Sequence, residues 1–195
     1  MPRKQTPLRP YFENMPDIGK PLSEGEVRRS GENVDLIGEQ EKIIAAEIDK
    51  VIKAGLPAEK IHARGGMTIY DRLEYLVDEG TWSPLHTLYN PADNDEGCTG
   101  VINGLGKIEG RWAVIIGFDN KVMAGAWLAG QGENVLMVTD LAKRLNIPLV
   151  WLTNCSGVKL MEQDSVYAGR RSSGAPFFRH AELNKLGIPI LNAIY

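Results

Sequence analysis

The run Val150-Trp151-Leu152-Thr153-Asn154-Cys155-Ser156-Gly157-Val158-Lys159 passes from an apolar segment fit for a buried strand into Asn, Ser and Gly. A strand ending this way presents consecutive backbone N–H groups at its carboxyl end, where they stabilise negative charge on a bound ligand. A carbonyl that becomes an oxyanion during reaction needs such donors. The turn by itself reads equally well as a plain strand-to-loop connection. Lys159, Arg170, Arg171 and Arg179 follow as a cationic cluster. Guanidinium groups bind carboxylates bidentately, so the cluster suits an anionic ligand; it also fits solvated charge flanking helices.

Other chemistries find no footing in the sequence. His62, His86 and His180 stand far apart, with no partner at metal or triad spacing, which favours ordinary structural roles. There is no His/Cys cluster for zinc and no Gly-x-Ser-x-Gly elbow. Gly100, Gly104 and Gly106 precede a hairpin strand rather than a helix, so a dinucleotide fingerprint fails its context. Cys98 and Cys155 cannot form a disulfide framework and fit a reducing compartment, each expected as a small buried residue. A net charge of −3 argues against nucleic acid as a partner. No apolar run reaches the roughly 18 residues of a membrane span, and Met1-Pro2-Arg3-Lys4-Gln5 lacks the apolar region of a signal peptide.

The elements that position these residues follow from periodicity and punctuation. Residues 1–35 read as an extended arm, because Pro2, Pro7, Pro10, Pro16 and Pro21 oppose a continuous helix; Tyr11, Phe12, Met15 and Ile18 give it something to bury. Residues 36–97 read as a helical extension. Ile37, Ile44, Ile48, Val51 and Ile52 form an apolar stripe stopped by Gly55 and Pro57, and Thr68 with Asp71 resembles a capping box opening a helix to about Asp78. From residue 98 a strand, a Glu109-Gly110 turn and a returning strand Trp112–Phe118 are expected. A helix over 131–145, ended by Asn146, leads to the strand before Asn154. A helix from about Phe177 to Leu186 and an apolar strand over 188–194 complete a ββα arrangement, with helices expected on both faces of the sheet.

Three blocks together resemble the carboxyltransferase subunits of biotin-dependent acyl-CoA enzymes. They are the helix Met67–Asp78 with Glu79-Gly80-Thr81-Trp82 after it, the segment Gly104–Arg111 with the following strand, and the turn Asn154–Lys159. Acyl-CoA carboxylases of that family read Asp-Ser-Gly-Gly-Ala-Arg at the turn. The Asn-Cys-Ser-Gly-Val-Lys found here, with Arg170-Arg171 and Pro176-Phe177-Phe178-Arg179, is more similar to the α subunits of glutaconyl-CoA decarboxylases. Tyr11–Pro16 and Gly19–Leu22 point the same way.

The resemblance implies an α/β fold, the amino-terminal portion of a crotonase-like (ClpP/crotonase) ββα superhelix, over residues 98–195. It implies transfer of the carboxyl group of glutaconyl-CoA to biotin on a separate carrier subunit, giving crotonyl-CoA. Carboxybiotin would then pass to a membrane-embedded, sodium-pumping decarboxylase subunit. The chain would be cytoplasmic, homo-oligomeric and peripheral to the membrane through these partners. By the same resemblance the Val158 N–H is one oxyanion donor, with Gly157 permitting close approach. Ser156 and Gly125-Ala126-Trp127 would line the acyl-CoA pocket, and Lys159, Arg170 and Arg171 would meet the CoA phosphates or the distal carboxylate. The family's second donor lies in a Gly-rich loop after the strand ending at Tyr195, before a second crotonase-like domain. The chain is therefore expected to be an amino-terminal part or split subunit, inactive alone. A β subunit of a propionyl- or methylcrotonyl-CoA carboxylase, or a non-catalytic assembly module, are the other readings.

Overall fold

The computed structural model describes residues 20–167 and 169–195. These fall into two units, divided within the first helix after Ile43. That helix, α1, spans Glu24–Lys53, so helix replaces the extended arm expected through residue 35 from Glu24 onward. The reason is local. Ser23 Oγ accepts from the Glu26 N–H (3.4 Å), while the Glu26 carboxylate accepts from the Ser23 N–H (2.8 Å). This reciprocal cap starts a helix just past the last proline of the segment, Pro21. The aromatic and proline positions of the arm through residue 19 lie outside the described residues. The apolar stripe is also corrected: Val51 is buried, but Ile37, Ile44 and Ile52 are exposed.

The second unit is a five-stranded mixed sheet in the order β1-β2-β3-β4-β5. The strands are β1 (Ser83–Leu85), β2 (Val101–Ile108), β3 (Arg111–Phe118), β4 (Leu149–Thr153) and β5 (Ile190–Ile194). The β2–β3 hairpin turns at Glu109 and Gly110, both at positive φ (48° and 78°), the pairing whose twist matches its strands. The Asp78 carboxylate accepts both turn N–H groups, at 3.0 and 2.7 Å. β3, β4 and β5 run parallel, joined by α4 (Gln131–Leu145) and by α5 (Gln163–Tyr167) with α6 (Ala175–Lys185). Asn146 ends α4 in the left-handed region, as expected.

Strand alternation sorts the core into two layers. Val114, Ile116, Phe118 and Trp151 face Val135, Val138 and Ala142 of α4 and Leu183 of α6. Ala113, Ile115, Val150 and Leu152 face Ile69 and Leu73 of α3 (Ile69–Leu76), whose Thr68–Asp71 capping box is formed. Two short elements, β1 and α2 (Ala58–His62), carry no periodic signal. β5 departs from expectation. Leu191 to Ile194 are exposed, because β5 is the outer strand of the described sheet and α6 covers only its approach.

Candidate active site

β3 and β4 are parallel neighbours, so their carboxyl ends open on the same edge, where α/β sheets place ligands. The loop after β3 and the turn after β4 are laced together there. Trp127 gives its N–H to the Gly157 carbonyl (2.8 Å) and accepts from the Lys159 N–H (3.1 Å), pairing Trp127 with Val158 as an isolated parallel bridge. In such a pair the groups of residues 157 and 159 face Trp127, and those of Val158 face the opposite way. The Val158 N–H has no acceptor among the described residues. Gly157 adopts φ +122°, and a β-carbon there would meet no atom within 4 Å. The glycine is required by its backbone conformation, and the space beside it is open.

The loop after β3 is strained where it meets this turn. Met123, Ala124 and Gly125 are all left-handed, at φ 47°, 52° and 75°. For a methionine and an alanine this costs about 1–3 kcal/mol each, and it persists only where the surroundings over-determine it. Here the Gly125 N–H donates to the Val122 carbonyl (2.8 Å) and the Ala126 N–H to that of Met123 (3.1 Å). Gly125 and Ala126 are buried against the turn, with Trp127 half-buried. The Trp127 ring lies edge-on to Phe118 at 5.6 Å, and Phe118 stacks on Trp151 at 6.1 Å, giving the site an aromatic floor.

Of the four residues of the cationic cluster, Lys159, Arg171 and Arg179 are ion-paired. Lys159 Nζ lies 3.0 Å from Glu96 and 2.7 Å from Glu162, and the Glu162 and Glu96 carboxylates hold its ammonium well above the usual lysine range. Glu162 also accepts the Ala129 N–H at 3.3 Å, so Lys159 ties three loop segments together. Arg171 pairs with Glu133 at 2.8 Å, and Arg179 with Asp140 (3.0 Å) and Glu182 (2.6 Å). Arg170 is exposed, has no ion pair among the described residues, and borders a cleft of about 510 Å³ beside Gly130 and Gly132. The sequence reading missed Glu96, which lies 63 residues from Lys159. Glu162, three residues on, was open to inference.

The remaining polar candidates serve the fold. His62 Nε2 is 2.7 Å from Asp71, the capping-box carboxylate. His180 packs edge-on against Trp151 at 5.3 Å, and burial pushes its pKa down. Cys98 is buried, but Cys155 is exposed, contrary to expectation, because the turn carries it beyond the end of β4. Among the described residues no group of three or more His, Cys, Asp or Glu could hold a metal ion, and no helix is long and apolar enough to cross a membrane.

The carboxyl transferase domain matches residues 60–195. Glutaconyl-CoA decarboxylase subunit alpha of Acidaminococcus fermentans is 46% identical over 95% of the chain, which spans 31% of that protein. Methylmalonyl-CoA decarboxylase subunit alpha of Propionigenium modestum is 28% identical over 70% of the chain and 27% of its own length. The β subunit of geranyl-CoA carboxylase from P. aeruginosa superposes with a TM-score of 0.71 at 20% identity, covering 91% of the chain and 34% of the subunit. The fold is the crotonase-like α/β fold of these carboxyltransferases.

Proposed function

The chain belongs to the carboxyl transferase domain family, and from that premise we propose that it forms part of the carboxyltransferase of a biotin-dependent glutaconyl-CoA decarboxylase. The substrate reading rests on the 46% identity to a glutaconyl-CoA decarboxylase α subunit, against 28% to a methylcrotonyl-CoA carboxylase β subunit. In the reaction the C–C bond to the distal carboxyl breaks and its electron pair spreads onto the thioester oxygen as a dienolate. Biotin on a separate carrier subunit would take the carboxyl group at a ring nitrogen in exchange for that nitrogen's proton, and a proton returned to the carbon that lost the carboxyl group would give crotonyl-CoA. The carrier would then deliver the carboxyl group to a membrane-embedded, sodium-pumping partner, which would hold the homo-oligomeric enzyme at the membrane surface.

One observation carries the chemistry: the Trp127–Val158 bridge turns the Val158 N–H outward without an acceptor among the described residues. A donor fixed beforehand and aimed at developing charge stabilises the transition state more than the substrate. Gly157 keeps the approach open, and Gly125, Ala126, Trp127 and Ser156 shape the neighbouring wall. Arg170 is the cation available to an anionic part of the ligand. The test is carboxyl transfer from glutaconyl-CoA to free biotin by the assembled enzyme. Carboxylation of propionyl-CoA in its place would overturn the reading.

A further inference from the structure

Lys121 is 5% exposed and lies just before the strained turn. Its ammonium donates to the carbonyls of Ile52 and Ala54 (3.5 Å for the latter) at the carboxyl end of α1. It lies 3.5 Å from the Asp119 carboxylate, itself 1% exposed, and 4.9 Å from the centre of the Tyr70 ring. The Lys121 carbonyl accepts the Leu56 N–H at 2.9 Å. Its neighbours are anchored too. The Asp119 N–H donates to Gly100 (3.0 Å), and Asn120 Nδ2 donates to the Met67 carbonyl (2.9 Å). Burying an ammonium is costly and is tolerated where it is paired and fully bonded. This one is spent on joining α1 to the loop after β3.

We propose that Lys121 is a positioning residue for the candidate active site. By tying that loop to α1 it holds Met123 and Ala124 left-handed, and so holds Trp127 in register against Val158. The inference rests on the carboxyltransferase reading given above. On the far side, the turn is held by the Ser156 hydroxyl on the Met123 carbonyl (3.0 Å) and by the Trp127 bridge. Without the ammonium, the Ile52 and Ala54 carbonyls lose a donor, and the buried Asp119 carboxylate loses its counter-ion while keeping the Lys121 backbone N–H at 3.0 Å. The two non-glycine residues then relax toward right-handed backbone, and the segment carrying Trp127 moves away from Gly157 and Lys159.

The experiment compares wild type, Lys121→Met, Lys121→Gln, Lys121→Arg and Lys121→Met with Ala124→Gly in the assembled enzyme. Misplacing a catalytic group by about 1 Å costs on the order of 10²-fold. We expect kcat to fall about 10–100-fold in Lys121→Met with KM within about threefold. Ala124→Gly, which removes the left-handed penalty, restores part of the loss. A folded Lys121→Met enzyme with kcat within about twofold of wild type would overturn the proposal. Should that variant not fold, Lys121→Gln, shorter and uncharged, carries the test: reduced kcat at unchanged melting temperature, recovered in Lys121→Arg, which keeps the cation, supports it, and wild-type kcat in Lys121→Gln overturns it. A second readout does not depend on turnover. The exposed Cys155 thiol donates to the Gly157 carbonyl (3.4 Å), the group that Trp127 also binds, so its alkylation rate, followed by peptide mass, changes in Lys121→Met when Trp127 moves away and that hydrogen bond loosens. An unchanged rate counts against the proposal even if wild type transfers no carboxyl group, an outcome that would sink the function itself.

Discussion

Gly125 and Asn154, on different loops, approach so closely that a β-carbon on the glycine would sit 1.8 Å from the Asn154 carbonyl oxygen. Asn154 is held in turn by its amide, which donates to the Tyr195 carbonyl at 3.1 Å. Backbone thus meets backbone at the site, and neither side has a flexible end that could yield.

Gly125→Ala should therefore destabilise the fold by about 1–3 kcal/mol from overpacking alone, with the left-handed backbone adding about 1–2 kcal/mol. Chemical denaturation of the two proteins measures this. A loss below about 1 kcal/mol would mean the loops separate easily.

Val158→Pro deletes the outward N–H without breaking a hydrogen bond among the described residues. Loss of one oxyanion donor costs about 10²–10³ in kcat, with a smaller change in KM. Steady-state kinetics on glutaconyl-CoA test this, and unchanged turnover would refute the donor assignment.

Lys159→Met removes an ammonium bonded to Glu96 and Glu162. If that charge serves the fold, KM for the CoA ester stays within about twofold while the melting temperature falls by several degrees, since breaking a paired charge destabilises. A large rise in KM with unaltered melting would return Lys159 to the ligand.

The His62 hydrogen bond, ahead of those from Thr68, lowers the Asp71 pKa from the ordinary 3.8 to about 2. A carboxylate depressed on folding adds stability that is full above its unfolded pKa and lost as pH falls through the folded value. The loss should therefore run from about pH 4 to pH 2. It amounts to about 1 kcal/mol after allowance for solvent screening. Asp71→Asn should flatten that part of the melting-temperature profile; an unaltered acid limb would remove Asp71 from the account.

The legible parts of this molecule were those written in local residue chemistry. Thr68 with Asp71, Glu109-Gly110 and Asn146 each mark an element boundary through a backbone preference of their own, and the structure keeps all three. Ser23 with Glu26 carries the same capping signal as Thr68 with Asp71, and it starts a helix inside the segment that the prolines through Pro21 made read as an arm. Met123 and Ala124 give no hint of left-handed backbone, because only contacts from the turn after β4 and from α1 impose it. The pairing of Lys159 with Glu96 was equally hidden, since charge alone does not say where its counter-ion lies.

The Trp127–Val158 bridge joins positions 31 residues apart into one backbone surface. The acyl pocket proposed above therefore cannot be reshaped one loop at a time. Variants selected for a longer or bulkier acyl chain should carry compensating substitutions on both segments, and libraries that randomise only one of them should return mostly misfolded proteins.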